Sequence, residues 1–502
     1  MLNLSGANVR LRYTGVVLFI SRLFSLLTGA LFVLLITRKL PVDDFGLWSM
    51  TGRYLAYVMI FANVYSYWLP RTMARGVNTS KTGLALSLIF GSAATLVYLI
   101  IAFWFSLSFD QPLLILLLVA PQVILSYVQS TMESVSTGYA PQLIGYAQII
   151  SEVVKVGLAF CLVFFFRIEI TGAILAVVGA QLVSVLFFTA LNFKVIKSSK
   201  LDFDIAKSWL KHSWLPLFTA GVGILGGLDT ILVRLAAGSE QPAAYQGVAL
   251  TIAAVVTNTN VLASGLYPRL LAKAHLPETE VALKLIYMFA IPLSVFIFFY
   301  AEPISAVFGL KYLAAVDVVR VATLSSLISV FSLLLDTVIL GMERRDAEGL
   351  TSKELVSSML FRLPLLNCIM SMVYLIILHI TLIGAQEYAD ISLRWIVSSA
   401  INVSLAIAVK LIALKKTIRI SISAQTILSL LKCLAVSLIA VDFALNIWHV
   451  LPVEKIMDLF LSLIPPIIFI AATYFALLAV IDRDFRFLVK AALNEAEKLL
   501  KT

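Results

Sequence analysis

The chain has 502 residues, of which 61% are hydrophobic and only 13% charged, and its mean hydropathy is +1.00. That composition leaves too little polar surface for a soluble protein, so the three or four soluble domains suggested by length are excluded. In such a chain the net charge of +10 encodes membrane topology rather than nucleic-acid binding.

Apolar runs predict an all-α polytopic membrane protein with about fourteen transmembrane helices, each long enough to cross about 30 Å of hydrocarbon. In chain order they cover 14–38, 45–69, 83–107, 112–136, 143–166, 171–193, 214–237, 243–267, 282–301, 313–340, 358–383, 391–414, 425–447 and 457–481. The first run lacks a small-residue cleavage site and continues into Arg38-Lys39, so it reads as a retained helix rather than a signal peptide. Cys161, Cys368 and Cys433 are far apart, as are His212, His275, His379 and His449. Their scatter implies neither a disulfide framework nor a metal site.

Nearly all connections are too short to fold as a catalytic domain. The longest are 194–213 and 341–357, followed by a tail from Asp482. That tail places Phe485, Leu488, Val489, Ala492, Ala496, Leu499 and Leu500 on one helical face, which suits a helix lying on the membrane surface. With an even span count, the N-terminus, the even-numbered loops and the tail carry twenty-three Lys and Arg, against five in the odd-numbered loops. The bias predicts that both termini are cytoplasmic.

Two local matches suggest a duplication. Trp68-Leu69-Pro70-Arg71-Thr72-Met73-Ala74-Arg75 aligns with Leu266-Tyr267-Pro268-Arg269-Leu270-Leu271-Ala272-Lys273 at an offset of 198. Glu133 precedes Gly138 by five residues, as Asp336 precedes Gly341, at an offset of 203. The expected organisation is an N-terminal six-helix lobe within 1–193, a cytoplasmic linker at 194–213 and a second six-helix lobe at 214–414. Two additional helices within 415–481 and a cytoplasmic amphipathic tail at 482–502 complete it. Both lobes begin on the cytoplasmic side, so the repeat is parallel, with substrate expected between the lobes near mid-membrane.

The segment Ser21–Gly46, above all Thr37-Arg38-Lys39-Leu40-Pro41-Val42-Asp43-Asp44-Phe45-Gly46, resembles the start of polysaccharide-biosynthesis (O-antigen-type) flippases. These belong to the multidrug/oligosaccharidyl-lipid/polysaccharide exporter superfamily. Asp229, Tyr245-Gln246-Gly247, Tyr267-Pro268 and Gly309-Leu310-Lys311-Tyr312-Leu313-Ala314-Ala315 are similar to further segments of that family. The resemblance implies a V-shaped, two-lobe transporter of lipid-linked sugars.

Ionisable groups within the spans are costly and mark functional candidates, at roughly 2.5–3.5 kcal/mol each on insertion scales. The candidates singled out among them are Arg22, Arg53, Glu133, Glu152, Lys155, Asp229, Arg234 and Asp336. Glu152 and Lys155, three apart on one helix, read as a structural ion pair. Asp229 and Arg234 are five apart and align less well, and Arg234 could snorkel to the outer interface. Glu133, Asp229 and Asp336 are candidates for coupling to H⁺ or Na⁺, with simple contact with interfacial water as the alternative for Glu133 and Asp336, and no other cofactor is implied. Arg22 and Arg53 lie roughly eight residues, or about 12 Å, from the nearest span end. Arginine stays charged and can hold phosphate in a fork. The resemblance places cavity arginines on the first two helices, implying a phosphate-binding role for this pair, with structural pairing as the alternative.

The leading reading is therefore a non-enzymatic flippase of the plasma membrane. It would move polyprenyl-phosphate- or pyrophosphate-linked oligosaccharide outward by alternating access, alongside glycan-assembly enzymes and with no nucleic-acid partner. No G-x-x-x-x-G-K-[ST] motif supplies ATP chemistry. A cation-coupled multidrug antiporter of the same superfamily is the alternative, although the two extra helices argue against it. A membrane glycosyltransferase or polymerase using Asp43-Asp44 would need a longer outer loop.

Overall fold

A computed structural model describes residues 11–263, 277–342, 358–415 and 423–482, together with Phe485 and Arg486. Almost all of these residues are helical, and none forms a strand. The repeat segment Leu266–Lys273, most of the 341–357 loop and nearly all of the amphipathic tail lie outside the described residues.

Two compact units emerge. One comprises Met1–Gly247 and Asn367–Ile391, the other Val248–Leu366 and Ser392–Thr502. The first contains α1 (Leu11–Lys39), α2 (Val42–Val58), α3 (Ser80–Phe109), α4 (Leu113–Tyr139), α5 (Gln142–Ala159) and α6 (Glu169–Ser198). It also holds α7 (Trp214–Gly227) and α8 (Asp229–Ala237), and α9 (Gln241–Thr257) starts there. Its core forms where α3 packs on α4, α5 on α6, α1 on α5 and α4 on α6. The second unit is built on α10 (Pro277–Phe299), which packs against α11 (Val316–Met342) and α14 (Ala424–Ile447). The last long helix, α15 (Ile456–Ile481), packs on α14. Between them in sequence lie α12 (Met359–Leu382), which crosses both units, and α13 (Tyr388–Lys415).

The helix limits follow local chemistry. Pro41, Pro112 and Pro141 stand immediately before α2, α4 and α5, where a missing N–H costs nothing. Arg38 and Lys39 close α1, and Asp43 and Asp44 open α2, each charge complementing a helix dipole. Gly238, at φ +65°, ends α8 in the left-handed conformation that glycine adopts without steric cost. Large apolar side chains such as Leu27, Ile100, Leu107 and Leu114 remain exposed on the helices, as a lipid-facing surface requires.

Twelve of the described helical stretches are long and apolar enough to cross a membrane. The two expected spans missing from that set, 45–69 and 243–267, are broken helices. After seventeen residues, α2 passes into the 3₁₀ turn Met59–Ala62, and α9 passes into Asn258–Ala263 after the same length. The starts of these turns lie 199 residues apart. At the first break, the Tyr127 hydroxyl donates to the Val58 carbonyl at 2.6 Å, and Asn63 donates to Ile60 O at 3.2 Å. Polar groups freed by a break in a membrane helix need such partners.

Candidate functional site

The site grows from two neighbouring helix irregularities in the first unit. The seventh span is interrupted at Leu228, directly after Gly226-Gly227, so that Asp229 becomes the first residue of α8. Paired glycines are weak helix formers and permit the break. The Gly227 carbonyl left there accepts a 2.6 Å hydrogen bond from the Tyr57 hydroxyl on α2. That bond sets α2 beside the break and brings Arg53, one turn earlier, to Asp229.

Arg53 Nη1 lies 3.2 Å from Asp229 Oδ1, and Arg53 Nη2 donates to Gln246 Oε1 at 3.2 Å. The other Asp229 oxygen accepts from the Tyr374 hydroxyl of α12 at 2.8 Å, while Thr230 Oγ1 donates to Oδ1 at 3.2 Å. The two charges differ in access: the Arg53 side chain is 32% exposed and that of Asp229 only 8%. Arg53 also lines a cavity of about 580 Å³. Its walls carry Gly52, Leu55, Ala56, Tyr57, Met59, Ile60 and Asn63 from the α2 side, and Ala220, Gly223, Ile224 and Gly227 from α7. Arg53 is the charged side chain in a lining that is otherwise apolar, apart from Tyr57 and Asn63. A charged group within a largely apolar, ligand-sized cavity is a binding-site candidate.

Arg22 is exposed on α1, joins none of the ion pairs among the described residues and does not line this cavity. Glu152 and Lys155 do pair, at 2.7 Å, and the carboxylate also accepts from Ser25 and Thr28 of α1 at 3.1 and 2.6 Å. Asp229 and Arg234 do not pair with each other. Arg234 Nε instead reaches Glu240 Oε1 at 2.8 Å, and its Nη2 donates to the Phe109 carbonyl at 2.6 Å. Gln111 donates to the same Glu240 oxygen at 3.1 Å and to the Tyr54 hydroxyl at 3.1 Å.

The two acids at matching repeat positions have different surroundings. Glu133 on α4 accepts from Gln129 at 2.9 Å. Asp336 on α11, in the second unit, lies 2.6 Å from Lys410 Nζ on α13, and Lys410 also donates to Ser332 at 3.0 Å. Lys410, Tyr374 and Glu240 were not among the sequence candidates. Lys410 could have been found as a lone lysine inside an apolar helix. Gln246 belongs to the segment Tyr245-Gln246-Gly247, but its place beside Arg53 has no sequence signature. Among the described residues, no cluster of His, Cys, Asp and Glu could hold a metal ion.

No protein-family model and no curated protein matches the chain. Solved structures do match it. The lipid II flippase MurJ in an inward closed conformation is 16% identical with a TM-score of 0.63, over 93% of this chain and 100% of that one. An inward-facing multidrug resistance MATE family transporter of the MOP superfamily is 13% identical with a TM-score of 0.58, over 79% of this chain and 96% of that one. A MOP superfamily transporter from Pyrococcus furiosus, described as having a binding pocket of reversed polarity, is 13% identical with a TM-score of 0.52, over 83% and 98% respectively. At these identities the likeness establishes the fold, that of MATE and MurJ transporters. The chain is a multi-pass membrane protein of that fold.

Proposed function

We propose that this protein flips a polyprenyl-phosphate- or pyrophosphate-linked oligosaccharide from the cytoplasmic to the outer leaflet of the cell membrane by alternating access. The observation that carries this reading is Arg53 in the wall of the 580 Å³ cavity. A sugar head group cannot cross hydrocarbon with its hydroxyls unpaired, so it needs an enclosed path. A guanidinium at the wall gives the linking phosphate a permanent positive partner. Arg22, one helix earlier and exposed, is assigned to the same anion along its route. Export of an anion is downhill in an inside-negative potential, by roughly 2.3 kcal/mol per charge per 100 mV.

The proposed architecture is two six-helix lobes, at 1–193 and 214–414, with both termini cytoplasmic. The recurrence of a break after seventeen residues in α2 and α9, at nearly the sequence-match spacing, supports the duplication. Glu133 and Asp336 are assigned to H⁺ or Na⁺ coupling, and enzymes of glycan assembly are the expected partners.

The fold is equally compatible with a cation-coupled multidrug antiporter, and the buried Asp229 beside Arg53 is the observation favouring that second reading. Reconstitution separates the two. Proteoliposomes containing the protein should translocate a fluorescent lipid-linked oligosaccharide and should not exchange a cationic dye for protons. Dye exchange without lipid translocation would establish the antiporter instead.

A further inference from the structure

The 194–213 linker begins where α6 leaves the membrane. The uncharged stretch of α6, residues 170–193, is about 36 Å long, enough to cross about 30 Å of hydrocarbon. Lys194 and Lys197, which follow it in the last turns of α6, therefore stand at headgroup level. Leu182, Leu186 and Phe193 form one exposed stripe of α6 that runs up to that level. Four residues after α6 ends, a second helix begins, Phe203–Lys211.

This linker helix is tied to the start of α3. The Asp202 amide donates to Thr82 Oγ1 at 3.0 Å, and Ser199 Oγ donates to the Asn78 carbonyl at 2.9 Å. Trp209 is buried, and the helix packs on α3. Another edge of the same helix is uncovered: Phe203 is 77% exposed, and Leu210, seven residues on and in line with it, is 45% exposed. Lys207 and Lys211 occupy the adjoining stripe and Lys200 precedes the helix, all three exposed. None of the three joins an ion pair among the described residues. The 194–213 segment holds five lysines against two aspartates, and one of these, Asp202, is engaged as N-cap by the amides of Asp204 and Ile205, both at 3.0 Å.

We infer that the linker helix is a docking surface for anionic phospholipid. Phe203 and Leu210 enter the edge of the acyl region, and Lys200, Lys207 and Lys211 hold the phosphodiester headgroups. A helix with an apolar edge beside a row of lysines lies in the interface and is drawn to anionic lipid. The occupant follows from continuity and charge together. The exposed edge carries on from the lipid-facing stripe of α6, and a phospholipid offers an acyl chain and a phosphate side by side. An acidic soluble protein would satisfy the lysines but would give Phe203 no apolar partner. The inference is independent of the molecule transported, so its failure leaves the flippase reading standing.

The test uses the full-length protein in phosphatidylcholine nanodiscs in which about one lipid in five is phosphatidylglycerol. Phe203→Trp adds an indole at the exposed edge, and its fluorescence is taken as the difference from wild type. Bromine on the acyl chains of the phosphatidylglycerol should quench that indole about twofold more than the same amount of brominated phosphatidylcholine. Leu210→Trp should report the same excess. In about 1 M NaCl, where the screening length falls to about 3 Å, the excess should vanish while quenching by either lipid persists. Lys200→Gln/Lys207→Gln/Lys211→Gln in the Phe203→Trp background should also abolish the excess, and if that protein does not fold, the salt series decides. Equal quenching by the two brominated lipids at low salt overturns the preference for anionic lipid. An excess that survives the three lysine substitutions overturns the assignment to the linker. Absence of quenching by both lipids places the edge away from the bilayer, overturns the inference and leaves an acidic protein as the partner to seek.

Discussion

At the scale of single residues, the first unit is organised by a few approaches that admit little substitution. Gly46, one turn into α2, lies so close to the Glu240 backbone that an added Cβ would fall on the Glu240 carbonyl oxygen. The neighbouring Asp43 carboxylate accepts from Ser239 at 3.1 Å and Gln241 at 3.3 Å. Gly46→Val should therefore push α2 off the turn between α8 and α9 and lower the thermal midpoint of the purified protein. Gly52→Ala, where a Cβ meets nothing within 4 Å, should leave that midpoint unchanged. The Glu152–Lys155 pair gives a second test. Both side chains are largely buried, so Lys155→Ala strands a carboxylate at a cost of about 3–5 kcal/mol, softened by the Ser25 and Thr28 hydroxyls. Glu152→Gln combined with Lys155→Met should recover most of that loss in a thermal-melt series.

At the scale of helices, the positions of most spans were legible because an apolar run of sufficient length is the dominant signal in a membrane chain. The break in α2 was not. Apolar content runs without interruption through Val58-Met59, and what satisfies that break, Tyr127, lies on another helix; the second break did leave a mark, the polar run Thr257-Asn258-Thr259-Asn260 inside the expected span. The site was half legible for the same reason. Arg53 and Asp229 stood out as intramembrane charges, but their pairing is a tertiary fact that links α2 to α8 across 176 residues. Lys410 was overlooked, although it supplies the positive partner of Asp336. That partner separates the two acids at matching repeat positions. Asp336→Asn should strand Lys410 and destabilise the protein, with Lys410→Met restoring stability. Glu133→Gln, which keeps a hydrogen-bonding partner for Gln129, should retain stability and act on turnover alone. Parallel measurements of melting and flipping across pH and sodium concentration would check this, and wild-type turnover in both mutants would remove them from coupling.

At the scale of the whole molecule, the cation bias of the loops predicts that the 194–213 segment faces the cytoplasm and that Ser239 and Glu240 face outward. Single cysteines introduced at these positions in a cysteine-free background should react with an impermeant maleimide in intact cells only at 239 and 240. Labelling of the 194–213 segment from outside would invert the arrangement. The proposed transported chemistry rests on resemblance, because composition sets the solvent and span length sets the architecture, while under the proposal the ligand is chosen by a few side chains lining one cavity. The central claim is that Arg53 holds the phosphate of a lipid-linked oligosaccharide, and flipping of such a lipid by purified, reconstituted variants tests it most directly. Arg53→Ala should abolish flipping while Asp229→Asn/Arg53→Ala, which leaves no stranded carboxylate, melts near wild type and is equally inactive. Arg53→Lys should restore only part of the rate, since an ammonium lacks the guanidinium fork. Flipping at the wild-type rate by the Asp229→Asn/Arg53→Ala protein would contradict the claim.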